Sequence, residues 1–380
     1  VNYAADFLSF FAEESQRLGG EVIPSHIPSK RFWTIKQPIG VAGLITIWNF
    51  PAAGITRPLG AALAAGCTAV VKPAEQTPLS AIAIFELLEQ AGLPAGVANL
   101  VTALDPEPVG RELIENPLVR KISFTGSTEV GRTILRGAAD QIKRVSLELG
   151  GHAPLIVCED ADIELAANGA VTSKFRNCGQ TCVAVNRIYV HESIAAKFTE
   201  RLVELCRAVK VGNPTDESVR AGPLIDKSAV EKIERHVADA LSHGAKALIG
   251  GKRMTDGECA KGLFFQPTVL SPAKAEMLIM REETFGPVVA VATFKTEDEV
   301  IALANALPQG LAAYFYSRDA SRCARLAERL QYGIVGVNDS LPGAPQVPFG
   351  GIKQSGIGKE GGRMGLEEFV DTKLISMVQA

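Results

Sequence analysis

Two side chains set the chemical possibilities of this chain. One is a cysteine on a polar turn, Cys182 in Gly179-Gln180-Thr181-Cys182, and the other a glutamate ending an apolar run, Glu148 in Leu147-Glu148-Leu149-Gly150-Gly151. A thiol attacks carbonyl carbon as the thiolate. Its ordinary pKa of about 8.5 leaves a few per cent ionised at neutral pH, so a cation such as Arg176 nearby would raise its reactivity. A carboxylate set among apolar residues is pushed by burial towards the pKa of a general base. The pair points to covalent catalysis, with Cys182 as nucleophile and Glu148 as base. The competing readings are an inert buried thiol and a strand-end glutamate facing solvent. The Gly-Gln-Thr turn is a poor place for a core residue, which argues against the first; the second stays open. Cys178 reads as packing or a bystander thiol.

Three further stretches could serve a ligand. Phe124-Thr125-Gly126-Ser127-Thr128-Glu129-Val130-Gly131 follows a strand and opens a helix, where unpaired amides and the helix dipole favour a phosphate. Its G-x-x-x-x-G spacing is neither the usual dinucleotide fingerprint nor a P-loop, so a simple capped turn competes. Lys72 and Glu75 sit at a strand end and suit ribose hydroxyls, or form a surface ion pair. Asn49, in Trp48-Asn49-Phe50-Pro51, could steady an oxyanion through its amide, or serve as a structural turn.

The elements that must position these residues alternate. A helix over 2–18 stops at Gly19-Gly20, and 21–38 reads as strand and hairpin. From there strands at 41–47, 68–71, 98–101 and 121–124 alternate with helices at 58–65, 77–91 and 111–114. Alternation predicts an α/β fold with a parallel sheet covered on both faces. It restarts after Gly150-Gly151, which marks a domain boundary, and 372–378 forms a terminal strand with no local partner. The 380 residues, 47% hydrophobic and 21% charged with net charge -3, are those of a globular chain and give no basic patch for nucleic acid or anionic membrane. Seven scattered cysteines and five scattered histidines offer neither a disulfide framework nor metal spacing, so no metal is expected, and a reducing, cytoplasmic setting is. The apolar stretch 41–71 is broken by Pro51, Arg57 and Pro58, which argues against a membrane span. The opening Val1-Asn2-Tyr3, with no initiator Met and no signal peptide, reads as an internal start.

Taken in order, Trp48-Asn49-Phe50-Pro51, Lys72-Pro73-Ala74-Glu75, Phe124-Thr125-Gly126-Ser127, Leu147 to Gly151, Gly179 to Cys182, Glu282-Glu283-Thr284-Phe285-Gly286-Pro287 and Pro348-Phe349-Gly350-Gly351 resemble the NAD(P)-dependent aldehyde dehydrogenase superfamily over nearly the whole chain. Ser173-Lys174-Phe175-Arg176-Asn177 is most similar to succinate-semialdehyde dehydrogenases. The resemblance implies a Rossmann-like cofactor domain at 1–20 and 39–150, incomplete at its N-terminus. It also implies a catalytic α/β domain at 151–350 and a small β oligomerisation arm from 21–38 and 365–380, hence a homodimer or homotetramer.

The chemistry implied is attack by Cys182, an oxyanion held by Asn49 and the Cys182 amide, hydride transfer, and hydrolysis of a thioester by water that Glu148 activates. The resemblance further implies cofactor contacts from Ile47, Trp48, Lys72, Glu75, Gly110, Ser127, Leu149, Glu283 and Phe285. Substrate contacts are implied from Arg57, Arg176 and Phe349, the two arginines gripping a distal carboxylate. A carboxylate at Glu75 favours NAD over NADP by repelling a 2′-phosphate. Two departures bear on substrate and regulation. The loop Leu341-Pro342-Gly343-Ala344-Pro345-Gln346-Val347 lacks the family's serine, which leaves sulfonated, phosphonated or neutral aldehydes open. Ala184 stands where some relatives carry a second cysteine, so a redox switch there is excluded. A coenzyme-A-acylating relative and a catalytically silent NAD-binding protein are the remaining alternatives.

Overall fold

A computed structural model describes residues 1–378; residues 379 and 380, expected in the arm, lie outside the described residues. The chain forms two compact units, residues 1–149 with 343–350 and 356–380, and residues 150–342 with 351–355. The segment 343–350, expected with the second domain, thus belongs to the first unit.

The first unit opens with α1 (Asn2–Glu14), whose Phe7 and Phe11 are buried, then β1 (Val22–Ile23) and β2 (Lys30–Pro38). Next come β3 (Val41–Ile45), α2 (Ala53–Ala64), β4 (Thr68–Lys72), α3 (Pro78–Gln90), β5 (Ala98–Leu100), α4 (Pro106–Glu115), β6 (Val119–Thr125), α5 (Thr128–Ala139) and β7 (Arg144–Glu148). Helix α2 starts five residues before the expected Pro58, which lies inside it. A proline removes one amide, and here the helix runs through it with Pro58 fully packed.

The second unit supplies β8 (Ala153–Val157), α6 (Ile163–Phe175), β9 (Val185–His191), α7 (Ala195–Arg207), α8 (Lys227–Ser242), β10 (Lys246–Ile249), β11 (Thr268–Ser271), α9 (Leu278–Arg281), β12 (Val288–Phe294), α10 (Glu297–Asn305), β13 (Ala312–Tyr316), α11 (Ala320–Arg329) and β14 (Ile334–Val337). Its seven-stranded sheet, ordered β10-β11-β12-β9-β8-β13-β14, is parallel except at β10. One apolar cluster on it gathers Ile233, Phe265 and Phe315, another Phe175, Phe198 and Tyr314.

The chain returns to the first unit with β15 (Gly356–Ile357), α12 (Gly362–Glu367) and β16 (Val370–Val378). There β15-β7-β6-β3-β4-β5 form a sheet that is parallel except at β15. The expectation that the terminal strand lacks a local partner is corrected: β16 pairs antiparallel with β2 over nine registered positions, from Val370 with Pro38 to Val378 with Lys30, in the sheet β1-β2-β16. A chain separation of more than 300 residues hides such a pairing from local pattern. Below the strand Leu366 and Phe369 are core residues, so the exposed arm begins after them. Among the described residues no helix is long and apolar enough to cross a membrane.

Candidate functional site

In the first unit the expected ligand residues gather where parallel strands end, the edge that carries ligands in such sheets. Ile47, Trp48 and Asn49 follow β3 and are half-buried. Lys72 ends β4; its ammonium is buried against the Pro73 carbonyl and ion-paired with Glu75. The turn after β6 leads into α5, where Ser127 acts as N-cap, its hydroxyl accepting from the Val130 amide at 3.3 Å. Gly131 has a packing role: a β-carbon there would come within 2.5 Å of Leu149. Gly110 lies within α4, half-buried, with open space where its side chain would be.

Glu148 is the last residue of β7 and 3% exposed. Its carbonyl accepts from the Gly126 amide at 3.0 Å, which ties Glu148 to the candidate phosphate turn. Gly350 backs onto its carboxyl so closely that a β-carbon would lie 2.6 Å from Oε1. The Arg57 guanidinium stacks on Phe349, Cζ 4.5 Å from the ring centroid, and forms an ion pair with Glu360.

In the second unit Cys182 follows a tight turn in which Asn177, Cys178 and Gly179 all take positive φ, at 49°, 57° and 75°. Three successive left-handed residues end α6 abruptly, a conformation costly for the two that are not glycine. The turn is held by its own polar groups: the Ile225 amide donates to Gln180 Oε1 at 2.9 Å and the Ala184 amide to the Thr181 carbonyl at 3.0 Å. Cys182 is half-buried and Arg176 exposed, whereas Cys178 is buried and its thiol is pushed up to about 12 by desolvation, which makes it inert.

Glu283 receives the Gly151 amide at 3.1 Å. Part of the residue is accessible, yet its carboxyl is enclosed by protein, and desolvation raises it to about 7. Lys174, fully buried and donating to Asn186 at 2.7 Å, is lowered to about 7 by the same cause. Phe285 occupies positive φ of 55° in the loop that His236 braces from α8 by contacts of 3.2 Å to Thr284 and Glu282. Glu360 and His236 were not singled out from sequence, and Lys174 and Gly151 stood in quoted motifs without a role of their own. The doubled glycine of Gly150-Gly151 was the one available signal. Among the described residues no cluster of His, Cys, Asp and Glu could hold a metal ion.

The aldehyde dehydrogenase family model matches residues 1–375. The chain is 53% identical over 373 residues to an Escherichia coli protein named an NADP(+) succinate-semialdehyde dehydrogenase, covering 98% of this chain and 76% of that one. It is 52% identical over 375 residues to a Pseudomonas putida glutarate-semialdehyde dehydrogenase, covering 99% and 77%. A crystal structure of an E. coli NADP-dependent enzyme superposes with a TM-score of 0.97 at 52% identity, over 99% of this chain and 77% of that one.

Proposed function

The chain belongs to the aldehyde dehydrogenase family, and we propose that it oxidises a small anionic semialdehyde, succinate semialdehyde foremost, to the corresponding acid. Cys182 attacks the aldehyde carbon, and the Asn49 side chain with the Cys182 amide binds the oxyanion. A bound nicotinamide dinucleotide supplies the hydride acceptor. Glu148 then takes a proton from the water that releases the acid from the Cys182 thioester. The residues fit such a dinucleotide: Lys72 and Glu75 offer a paired cation and carboxylate for ribose hydroxyls, and α5 turns its N-terminal amides towards a pyrophosphate.

The observation that carries the substrate reading is Arg57. Its side chain is 11% exposed, and the guanidinium is stacked and ion-paired, and so pre-ordered for one carboxylate. Arg176 is the second member of the proposed clamp, and Phe349 supplies the stacking face. Within the NAD(P) use of the family we place NAD first because the Glu75 carboxylate repels a 2′-phosphate. The NADP name of the E. coli relative argues the other way. The arm sheet β1-β2-β16 supports a homodimer or homotetramer, and a monomeric mass by light scattering would contradict it.

The test is a kcat/KM panel of succinate, glutarate and sulfonated semialdehydes against butanal, read by dinucleotide reduction. Cys182→Ala is expected to abolish turnover, and Arg57→Ala and Arg176→Ala to erase the preference for anions. Undiminished reduction by Cys182→Ala rejects the mechanism. An intact preference in both arginine variants rejects the clamp.

A further inference from the structure

Arg57 reaches from α2 into a pocket of groups that fix it on two sides. Its Nε lies 2.6 Å from Oε2 of Glu360, whose side chain is 5% exposed. Its Cζ lies 4.5 Å from the Phe349 ring centroid and 5.9 Å from that of Phe7. Phe349 and Glu360 are not independent neighbours. Their main chains pair as an isolated antiparallel bridge, the Phe349 amide donating to the Glu360 carbonyl at 2.6 Å and the Glu360 amide to the Phe349 carbonyl at 2.7 Å. One bridge thus presents an aromatic face and a carboxylate side by side to the same guanidinium. The carboxylate is anchored in turn, since Ser123, on β6, donates from Oγ to Glu360 Oε1 at 3.3 Å.

A guanidinium is planar and carries its donors in a fixed fork, so its direction is defined once its plane and one edge are held. Phe349 sets the plane, and the Glu360 carboxylate, ion-paired beside Nε without hydrogen-bond alignment, fixes where that edge lies. We propose that Glu360 is a specificity-determining positioning residue: it aims the terminal nitrogens of Arg57 at the anionic end of the substrate. The proposal rests on the clamp reading of Arg57 given above. It also assigns Glu360 a role opposite to that of a simple charge. A buried carboxylate against a guanidinium cancels much of its field, so the anion is selected by aligned donors more than by net positive potential. Position should therefore matter more than charge at residue 360.

Two substitutions separate the two. Glu360→Asp keeps the charge and withdraws it by one methylene; Glu360→Gln keeps the reach and a polar group of the same shape beside Nε. The readout is the ratio of kcat/KM for succinate semialdehyde to that for butanal, with KM and kcat resolved. Glu360→Asp is expected to lower this ratio about tenfold, through KM for the anion, as the misaimed Arg57 loses about one charge-assisted hydrogen bond to the substrate, with butanal within about twofold of wild type. Glu360→Gln should stay within about threefold of wild type, since a side chain of the same length still occupies the place beside Nε. Arg57→Ala combined with Glu360→Asp should be no worse than Arg57→Ala alone.

A loss shared equally by both substrates would mean a scaffold role and overturns the proposal. So does a Gln variant as impaired as the Asp variant, which would show that the charge is required no less than the position. A collapse of the ratio in Arg57→Ala with none in Glu360→Asp overturns the proposal and leaves the clamp standing. An unchanged ratio in Arg57→Ala removes the clamp and the proposal together. Should the Asp variant not fold, Ser123→Ala, which releases the far oxygen of Glu360, carries the same expectation at about threefold; no loss there overturns it.

Discussion

Gly151 and the carbonyl of Cys182 approach so closely that a β-carbon at residue 151 would stand 2.2 Å from that oxygen. The amide of the same glycine donates to Glu283. A single residue without a side chain therefore touches both the Cys182 turn and the Glu282-to-Pro287 loop. The contact is with main chain, so no side-chain rotation can relieve it. Gly151→Ala is expected to shift the turn, cost about 1–3 kcal/mol of stability, and lower kcat by about 100-fold, since displacements of about 1 Å at reacting groups cost that much. Unfolding in urea and the alkylation rate of Cys182 measure the two effects. A variant equal to wild type in both would show that the turn yields freely.

Glu283 gives a pH prediction with a definite sign. Its folded pKa is raised to about 7 from 4.5, first by desolvation. Between those values the folded chain holds a proton that the unfolded chain has released, so stability is lost as pH rises through that window. Lys174, lowered from 10.5 to about 7 by desolvation, acts in the opposite sense, and stability is regained as pH rises above about 7. Glu283→Gln should remove the acid-side decline and be more stable than wild type near pH 8. If Glu283 accepts from a ribose hydroxyl, dinucleotide binding tightens from pH 6 to 8 in wild type and is flat in the variant. Calorimetric titrations across that range decide it; a tightening that survives Glu283→Gln assigns the effect elsewhere.

Lys72 and Glu75 form an ion pair, and on the proposed reading cofactor choice turns on it. As the chain stands, the ammonium that could meet a 2′-phosphate is already engaged by a carboxylate. Glu75→Ser removes the repulsion and releases Lys72, so the ratio of kcat/KM for NADP over NAD should rise at least about tenfold. A wild type that already prefers NADP would reverse the assignment of Glu75, whatever the variant does.

The strand ends carrying Asn49, Lys72, Ser127 and Glu148 were legible because alternation fixes where parallel strands stop, and ligand-bearing residues cluster there. The turn before Cys182 was legible as a turn but not in its conformation, because Asn177 and Cys178 take left-handed backbone against their own preference and only tertiary contacts decide that. Pro58 misled, since a proline marks a helix start on average while here α2 runs through it. Local pattern was silent about partners across long separations: β2 with β16, which only the family resemblance grouped in one arm, and Arg57 with Glu360, 303 residues apart in the numbering. Local pattern reports which side chains an element offers and is silent about what meets them.

The last prediction concerns the floor of the nucleophile turn. Tyr314, on β13 and fully buried, donates its hydroxyl to the Val183 carbonyl at 2.7 Å, one residue beyond Cys182. Burial, and next the charge of an ionised Cys182, push this phenol well above its usual range, so it stays a donor throughout turnover. Tyr314→Phe deletes that donor without changing the ring's volume, and a partly buried carbonyl that loses its partner costs about 1 kcal/mol. Because the carbonyl belongs to the residue after the nucleophile, part of that loss should appear as looseness at Cys182: kcat down by about tenfold, with the cofactor KM close to wild type. Single-turnover traces locate the effect, since a mispositioned thiol slows acylation rather than hydrolysis. Slowed hydrolysis with acylation intact would instead mean that Tyr314 acts on the water, and the positioning role would be lost.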